Sequence, residues 1–305
     1  MKKTAWLTVS LIGLIVPAVV AVAAAQGPWD DDMKSFKKEE IVKTLKIADA
    51  ARSGEVVVDN VFGPIAVEGY SGKDVLLEAR KVVYALDEER ARRAEDEVRL
   101  DIAENGNTIE VYVDGPFREK ESERRERRFR MRHDSGYKVY YGFTLKVPFK
   151  TDLVLSTVTY GDVEVRGVEG KFEVRDVNGK VRLVDVAGSG EATTVNGSVT
   201  VVFRRHPDGA CLFETVNGDI EVDFPGVPSA DFRVKTTHGE VYSDFDVTYL
   251  PKAPPVREER HEKGGKYIYR SDGAYGVRVG KGGPELKLET LTGDILIAKR
   301  SKTSS

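Results

Sequence analysis

Seven segments of this chain are near copies of one another. FETVNGDIEVDF runs from Phe213 to Phe224, ATTVNGSVTVVF starts at Ala192, VRDVNGKVRLVD at Val174 and STVTYGDVEVRG at Ser156. VKTTHGEVYSDF starts at Val234, LETLTGDILIAK at Leu288, and an outlier, DNVFGPIAVEGY, at Asp59. Aligned on their glycines, Gly161, Gly179, Gly197, Gly218 and Gly239 follow one another at intervals of 18, 18, 21 and 21, with a jump of 54 to Gly293 and the outlier's Gly63 upstream. A period of roughly 20 residues marks a solenoid. Two and four places after five of these glycines come apolar pairs, Val163 and Val165, Val181 and Leu183, Val199 and Val201, Ile220 and Val222, Ile295 and Ile297. That alternation is a strand with one buried face, so each unit reads as strand, glycine corner, strand.

The corner chemistry fits, because Asn178-Gly179, Asn196-Gly197 and Asn217-Gly218 tolerate positive φ at a tight bend. Tyr160, His238 and Thr292 take the asparagine place elsewhere. Asn-Gly between alternating strands is also the strongest short hairpin signal, so an antiparallel sandwich competes with stacked parallel coils. Stacking is favoured because like residues recur at one phase, with threonine at Thr194, Thr215, Thr236 and Thr290 and asparagine at three corners. In a parallel solenoid each position lies on its counterpart one coil away, and each coil covers the edge of the last. The expectation is an all-β chain, a right-handed parallel β-solenoid or β-helix with coils of roughly 20 residues. One short exposed helix is expected at LDEERARRAEDEV, Leu86 to Val98, from its helix formers and mixed charge.

The chain opens MKKTAWLTVSLIGLIVPAVVAVAAAQ: two lysines, an apolar run from Ala5 to Val22, and an A-x-A site at Ala23 to Ala25. This is the grammar of a secretory signal, cleaved before Gln26, although the apolar run approaches the length of an anchor. Without Lys2 and Lys3 the formal charge goes from −3 to −5, which offers no global attraction to nucleic acid, and no other stretch is apolar enough for a transmembrane span. Cys211 is the one cysteine, which excludes an internal disulfide and a thiolate zinc cluster. The expected organisation is a signal at 1–25, a linker at 26–39, a single solenoid domain at 40–300 and a tail at 301–305. Within the domain fall a strand and helix block at 40–116, a charged insertion at 117–136, the repeat array at 137–245, a second insertion at 246–275 read as a flap between the last two coils, and a final coil at 276–300.

The order VPFKTDLVLSTVTYGDVEV, then repeated VNGxVxV, then VRVGKGGPELKLETLTGDILIAK resembles a family of exported bacterial domains of unknown function labelled adhesins. The resemblance spans about Glu40 to Lys299 and implies a single-stranded right-handed β-helix; no catalytic residues come with it.

Stacked coils would line side chains of one phase into ladders. The place after each corner glycine holds Asp162, Lys180, Ser198, Asp219, Glu240 and Asp294. A calcium ladder wants acids on neighbouring coils, so Asp219 and Glu240, with Asp294 following, are the weak metal candidates beside a solvated acidic edge. His133, His206, His238 and His261 show no metal spacing, and neither a serine elbow nor a phosphate loop is present in the sequence. From Arg118 to Arg132 lie eight basic and four acidic residues; Arg124, Arg125, Arg127, Arg128 and Arg130 are candidates for contact with an anionic polymer, weighed against a solvated loop. The functional expectation is a non-catalytic, cofactor-free, exported adhesin-like binding or scaffolding protein of the bacterial cell envelope, whether periplasmic, surface-bound or secreted. Its partner would be an envelope polymer or envelope protein, with self-association through open solenoid ends. The alternatives are a calcium-dependent polysaccharide lyase of β-helix type and an envelope-stress or regulatory accessory protein.

Overall fold

The computed structural model describes residues 33–49, 52–118, 136–251, 256–258, 268–270 and 275–300. The expected signal, the arginines from Arg124 to Arg130, His133, His261 and the tail lie outside the described residues. From the N-terminus come β1 (Lys34–Leu45), β2 (Gly54–Asp59), β3 (Ile65–Tyr70), β4 (Val75–Ala85), α1 (Glu88–Glu97), β5 (Arg99–Asn105), β6 (Thr108–Asp114) and β7 (Tyr137–Pro148). Strand pairs joined at corners follow: β8 (Thr151–Ser156) and β9 (Val163–Arg166), β10 (Phe172–Arg175) and β11 (Val181–Val186), β12 (Gly190–Thr193) and β13 (Val199–Phe203). Next are β14 (Cys211–Glu214) and β15 (Ile220–Phe224), then β16 (Ala230–His238) and β17 (Val241–Ser243). The chain ends with β18 (Val247–Tyr249), β19 (Val256–Glu258), β20 (Ile268–Arg270), β21 (Tyr275–Val279), β22 (Glu285–Thr292) and β23 (Ile295–Lys299).

Two long sheets face each other. One runs β1-β4-β7-β3-β9-β11-β13-β15-β23-β17 and the other β18-β21-β16-β22-β14-β12-β10-β8-β2-β6-β5. The two strands of each repeat lie in different sheets, so the Asn-Gly corners are not hairpin turns. Neighbouring repeats pair parallel and in register, as in Val163 with Val181, Val181 with Val199, Val199 with Ile220 and Ile220 with Ile295. All five side chains are buried, each worth about 1.5–3 kcal/mol against exposure. In the facing sheet Leu155, Val174, Ala192, Phe213, Leu288 and Val234 form the matching column, where the large Phe213 fills the space left beside the small Ala192. Phe203, Phe213, Phe224 and Phe232 continue as touching rings through the middle of the core.

The stack is not in chain order. The final pair, β22 and β23, lies between β14/β15 and β16/β17, so the last repeat is interior and the earlier one is outermost. The same happens at the other end, where β6 and β7 lie outside β2 and β3. Within the second expected insertion, the Val247–Tyr249 stretch is β18, pairing antiparallel with β21, which pairs antiparallel with β16. Likewise β1 starts at Lys34, inside the stretch expected to be a linker, and pairs antiparallel with β4.

Helix α1 starts where Asp87 accepts the Arg90 N–H at 2.9 Å and ends as Val98 turns extended and donates its N–H to Ala94. It is not exposed all round, because Ala91 and Ala94 are buried and the helix packs on β4, β7 and β1.

Candidate contact edge

One long edge of the solenoid is built from the corners between the two sheets. Its innermost row is threonine: Thr157 donates its hydroxyl to the Gly63 carbonyl (2.8 Å), Thr194 to Gly179 (2.9 Å), Thr215 to Gly197 (2.8 Å), Thr290 to Gly218 (3.0 Å) and Thr236 to Gly293 (2.9 Å). Each bond ties one coil to its neighbour and satisfies a carbonyl that the sheets leave over.

The glycines form the next row. A Cβ on Gly197 would lie 2.1 Å from the Gly179 carbonyl oxygen, on Gly218 2.0 Å from that of Gly197, on Gly293 2.1 Å from that of Gly218, and on Gly239 1.9 Å from that of Gly293. Gly179 approaches Gly161 in the same way, Gly161 approaches Pro64, and Gly63 approaches Tyr141. Positive φ occurs at Gly63 and Gly293 but not at Gly179, Gly197 or Gly218. At those three Asn-Gly corners glycine is required by close backbone approach, not by the bend that the sequence suggested. Tyr160 itself takes a φ of 62°.

The asparagines make an amide ladder. Asn196 Nδ2 donates to Asn178 Oδ1 and Asn217 Nδ2 to Asn196 Oδ1, both at 2.8 Å, while Asn178 Nδ2 reaches the Val158 carbonyl at 3.2 Å. Beside them runs an aliphatic ridge. The N–H of Asn178 bonds the Val158 carbonyl, and Asn196 bonds Val177, Asn217 bonds Val195 and Thr292 bonds Val216, each at 2.8–3.0 Å. These bonds place Val158, Val177, Val195, Val216 and Leu291 on successive coils, at the roughly 4.8 Å spacing of paired strands. Val158, Val195 and Leu291 are exposed at 39%, 38% and 47%.

The metal candidates lie on the same edge in a changed order. Asp219 and Glu240 are not on neighbouring coils; Asp294 sits between them, because the final repeat is interleaved. Asp219 Oδ1 accepts the Asp294 N–H and Asp294 Oδ1 accepts the Glu240 N–H, both at 2.8 Å, as Asp162 Oδ1 accepts that of Lys180. The Glu240 carboxylate in turn accepts from the Tyr242 hydroxyl at 2.7 Å. Cys211 is 4% exposed, and burial pushes its thiol up to about 11, which leaves little thiolate near neutral pH. His206 and His238 are at the surface.

Two buried ionisable groups escaped the sequence reading. Lys81 is 9% exposed, its amine lowered by burial and raised by the charges of Glu39 and Glu95. The signal was its phase, since it alternates with Leu77, Ala79 and Val83 on the buried side of β4. Asp176, 4% exposed, stands in the threonine row, three places before its corner glycine.

Residues 150–281 match the Toastrack DUF4097 family. The match spans just under half of the chain and holds the corners from Gly161 to Gly239. No curated protein matches the chain. Among solved structures, the chain is similar to a "putative cell adhesion protein" from Clostridium sporogenes at 12% identity, with 87% of this chain and 100% of that one covered and a TM-score of 0.36. It is also similar to a "putative adhesin" from Bacteroides fragilis at 12% identity, 86% and 97% coverage and a TM-score of 0.34. A "putative lipid binding protein" from Parabacteroides distasonis gives 13% identity, 86% and 97% coverage and a TM-score of 0.29.

Proposed function

We propose that this chain is a non-catalytic binding or scaffolding module of the bacterial cell envelope, exported by residues 1–25 and working as one right-handed solenoid domain. The observation that carries this reading is the corner edge: a straight ridge of aliphatic side chains, three of them exposed, flanked by a ladder of amides at fixed spacing. A flat regular array of that kind suits an extended polymer or the sheet edge of another protein, with the apolar row supplying contact area and the amides supplying polar specificity. Of the acids that a calcium-dependent lyase would use, Asp219 and Asp294 each hold a backbone N–H of the next coil through Oδ1 and Glu240 accepts the Tyr242 hydroxyl, which supports binding over catalysis.

The test uses the exported form, Gln26 to Ser305, on purified envelope polysaccharide, peptidoglycan and crosslinked envelope extract. Retention should fall at least tenfold in the double variant Val195→Lys and Leu291→Lys, with unchanged thermal stability. Absence of retention on all three materials, or retention untouched by the double variant, would contradict the reading.

A further inference from the structure

The threonine row is broken at one coil. Between Thr157 and Thr194 the place is held by Asp176, whose Oδ1 accepts the N–H groups of Val177 at 2.6 Å and Asn178 at 3.2 Å. Its Oδ2 is buried and has no hydrogen-bond partner among the described residues. A Cβ on Gly179 would fall 2.3 Å from Asp176 Oδ2 and 2.4 Å from the carbonyl oxygen of Gly161, so the two oxygens border the same small space. In the other coils a threonine hydroxyl donates to the glycine carbonyl in this position. An ionised carboxylate can only accept, and two facing acceptors repel; a protonated one donates.

We infer that Asp176 is held as the neutral acid, donates from Oδ2 to the Gly161 carbonyl as the threonines do, and serves as a proton-operated joint between two coils. Loss of the proton turns that contact repulsive and loosens the corner from Asp176 to Lys180. Burial, the largest influence, pushes the Asp176 carboxyl up to about 7; the two backbone N–H groups oppose this and the Asp162 charge adds to it. The charged and titratable groups around it are few. The preceding corner brings Asp162 and Tyr160; its own corner brings Lys180 and Arg175, the latter paired outward with Glu173 and Glu191. The following corner, Ala192 to Ser198, has no ionisable side chain.

The sign is opposite to that of an ordinary surface aspartate. A carboxyl whose folded pKa is raised contributes its full stability below the unfolded value, near 3.9, and loses it as pH rises through about 7. Val177 and Asn178, held by Asp176 Oδ1, belong to the ridge and the amide ladder. On the reading proposed above, protonation therefore also orders the contact edge; that consequence rests on the reading, and the joint itself does not.

The experiment follows the Asp176 side-chain carboxyl carbon by NMR from pH 3 to 9 in the full chain, alongside urea unfolding of the unsubstituted chain, Asp176→Asn and Asp176→Thr. The carboxyl should titrate near pH 7. The unfolding constant of the unsubstituted chain relative to Asp176→Thr should rise by up to about tenfold per pH unit between about 4 and 7, then level off. A carboxyl titrating near 4, or a ratio flat with pH, overturns the inference. If neither variant folds, the titration of the unsubstituted chain decides alone. No ligand enters either measurement, so failure of the binding reading leaves this result intact.

Discussion

At the scale of single residues, the corner glycines are positions where one backbone lies against another. Gly197 shows the constraint: its absent Cβ would occupy a point 2.1 Å from a carbonyl oxygen that is itself fixed in the coil beneath. Unlike a flexible side chain, that carbonyl cannot withdraw without parting the two coils. Gly197→Ala should therefore destabilise by about 1–3 kcal/mol, the usual range for forced overpacking. Gly226→Ala meets nothing within 4 Å and should stay within about 0.5 kcal/mol. Urea unfolding of the two variants checks this, and equal midpoints would contradict it. The Asn-Gly pairs were conspicuous in the sequence, but their mechanical reason was not. Asparagine-glycine is common in turns because both residues accept positive φ, whereas here Asn178, Asn196 and Asn217 bond to one another through their amides, a contact that exists only once coils are stacked. Asp176 was legible in principle as the coil whose threonine place holds an acid, yet its burial follows from packing that no single coil specifies.

At the scale of elements, the alternation of apolar residues identified the strands of the array, and the recurrence of like residues at one phase distinguished parallel stacking from hairpins. The position of the last element was hidden, because a repeat motif says which coils are alike and not which are neighbours. Ile295 makes the point. It is fully buried between Ile220 on one side and Val241 on the other, as an interior residue of the stack. Ile295→Ala should cost about 2–5 kcal/mol, the range for large-to-small changes in a closed core. Its thermal midpoint should fall by roughly 4–20 °C at about 2–4 °C per kcal/mol for a domain of this class. Calorimetry is the check, and a shift below about 2 °C would place the residue at an open end instead. Helix α1 was similarly half-legible: its charge pattern marked the helix, while Ala91 and Ala94 offered too little apolar surface to signal a buried side.

At the scale of the whole molecule, chain that folds back out of order lies at both ends of the stack, β6 and β7 at one end and β16 and β17 at the other; antiparallel strands lie beyond β6, β7 and β16, while β17 is the outermost strand of its sheet among the described residues. The open edge of β1 carries Lys37, Lys38, Glu39, Glu40 and Lys43, charges that discourage further strand addition. The ladders, the ridge and the acid order all derive from the parallel, in-register stack with its final coil interposed. Disulfide trapping in a Cys211→Ser background tests it most directly. Glu214 and Glu289 are direct partners across β14 and β22, and Glu289 is in turn the partner of Lys235 on β16. Cysteines at 214 and 289 should crosslink readily under mild oxidation, being about 5 Å apart at the Cα atoms, whereas cysteines at 214 and 235, two coils or roughly 10 Å apart, should not. Crosslinking of the second pair and not the first would mean that the coils stack in chain order, and would contradict this arrangement.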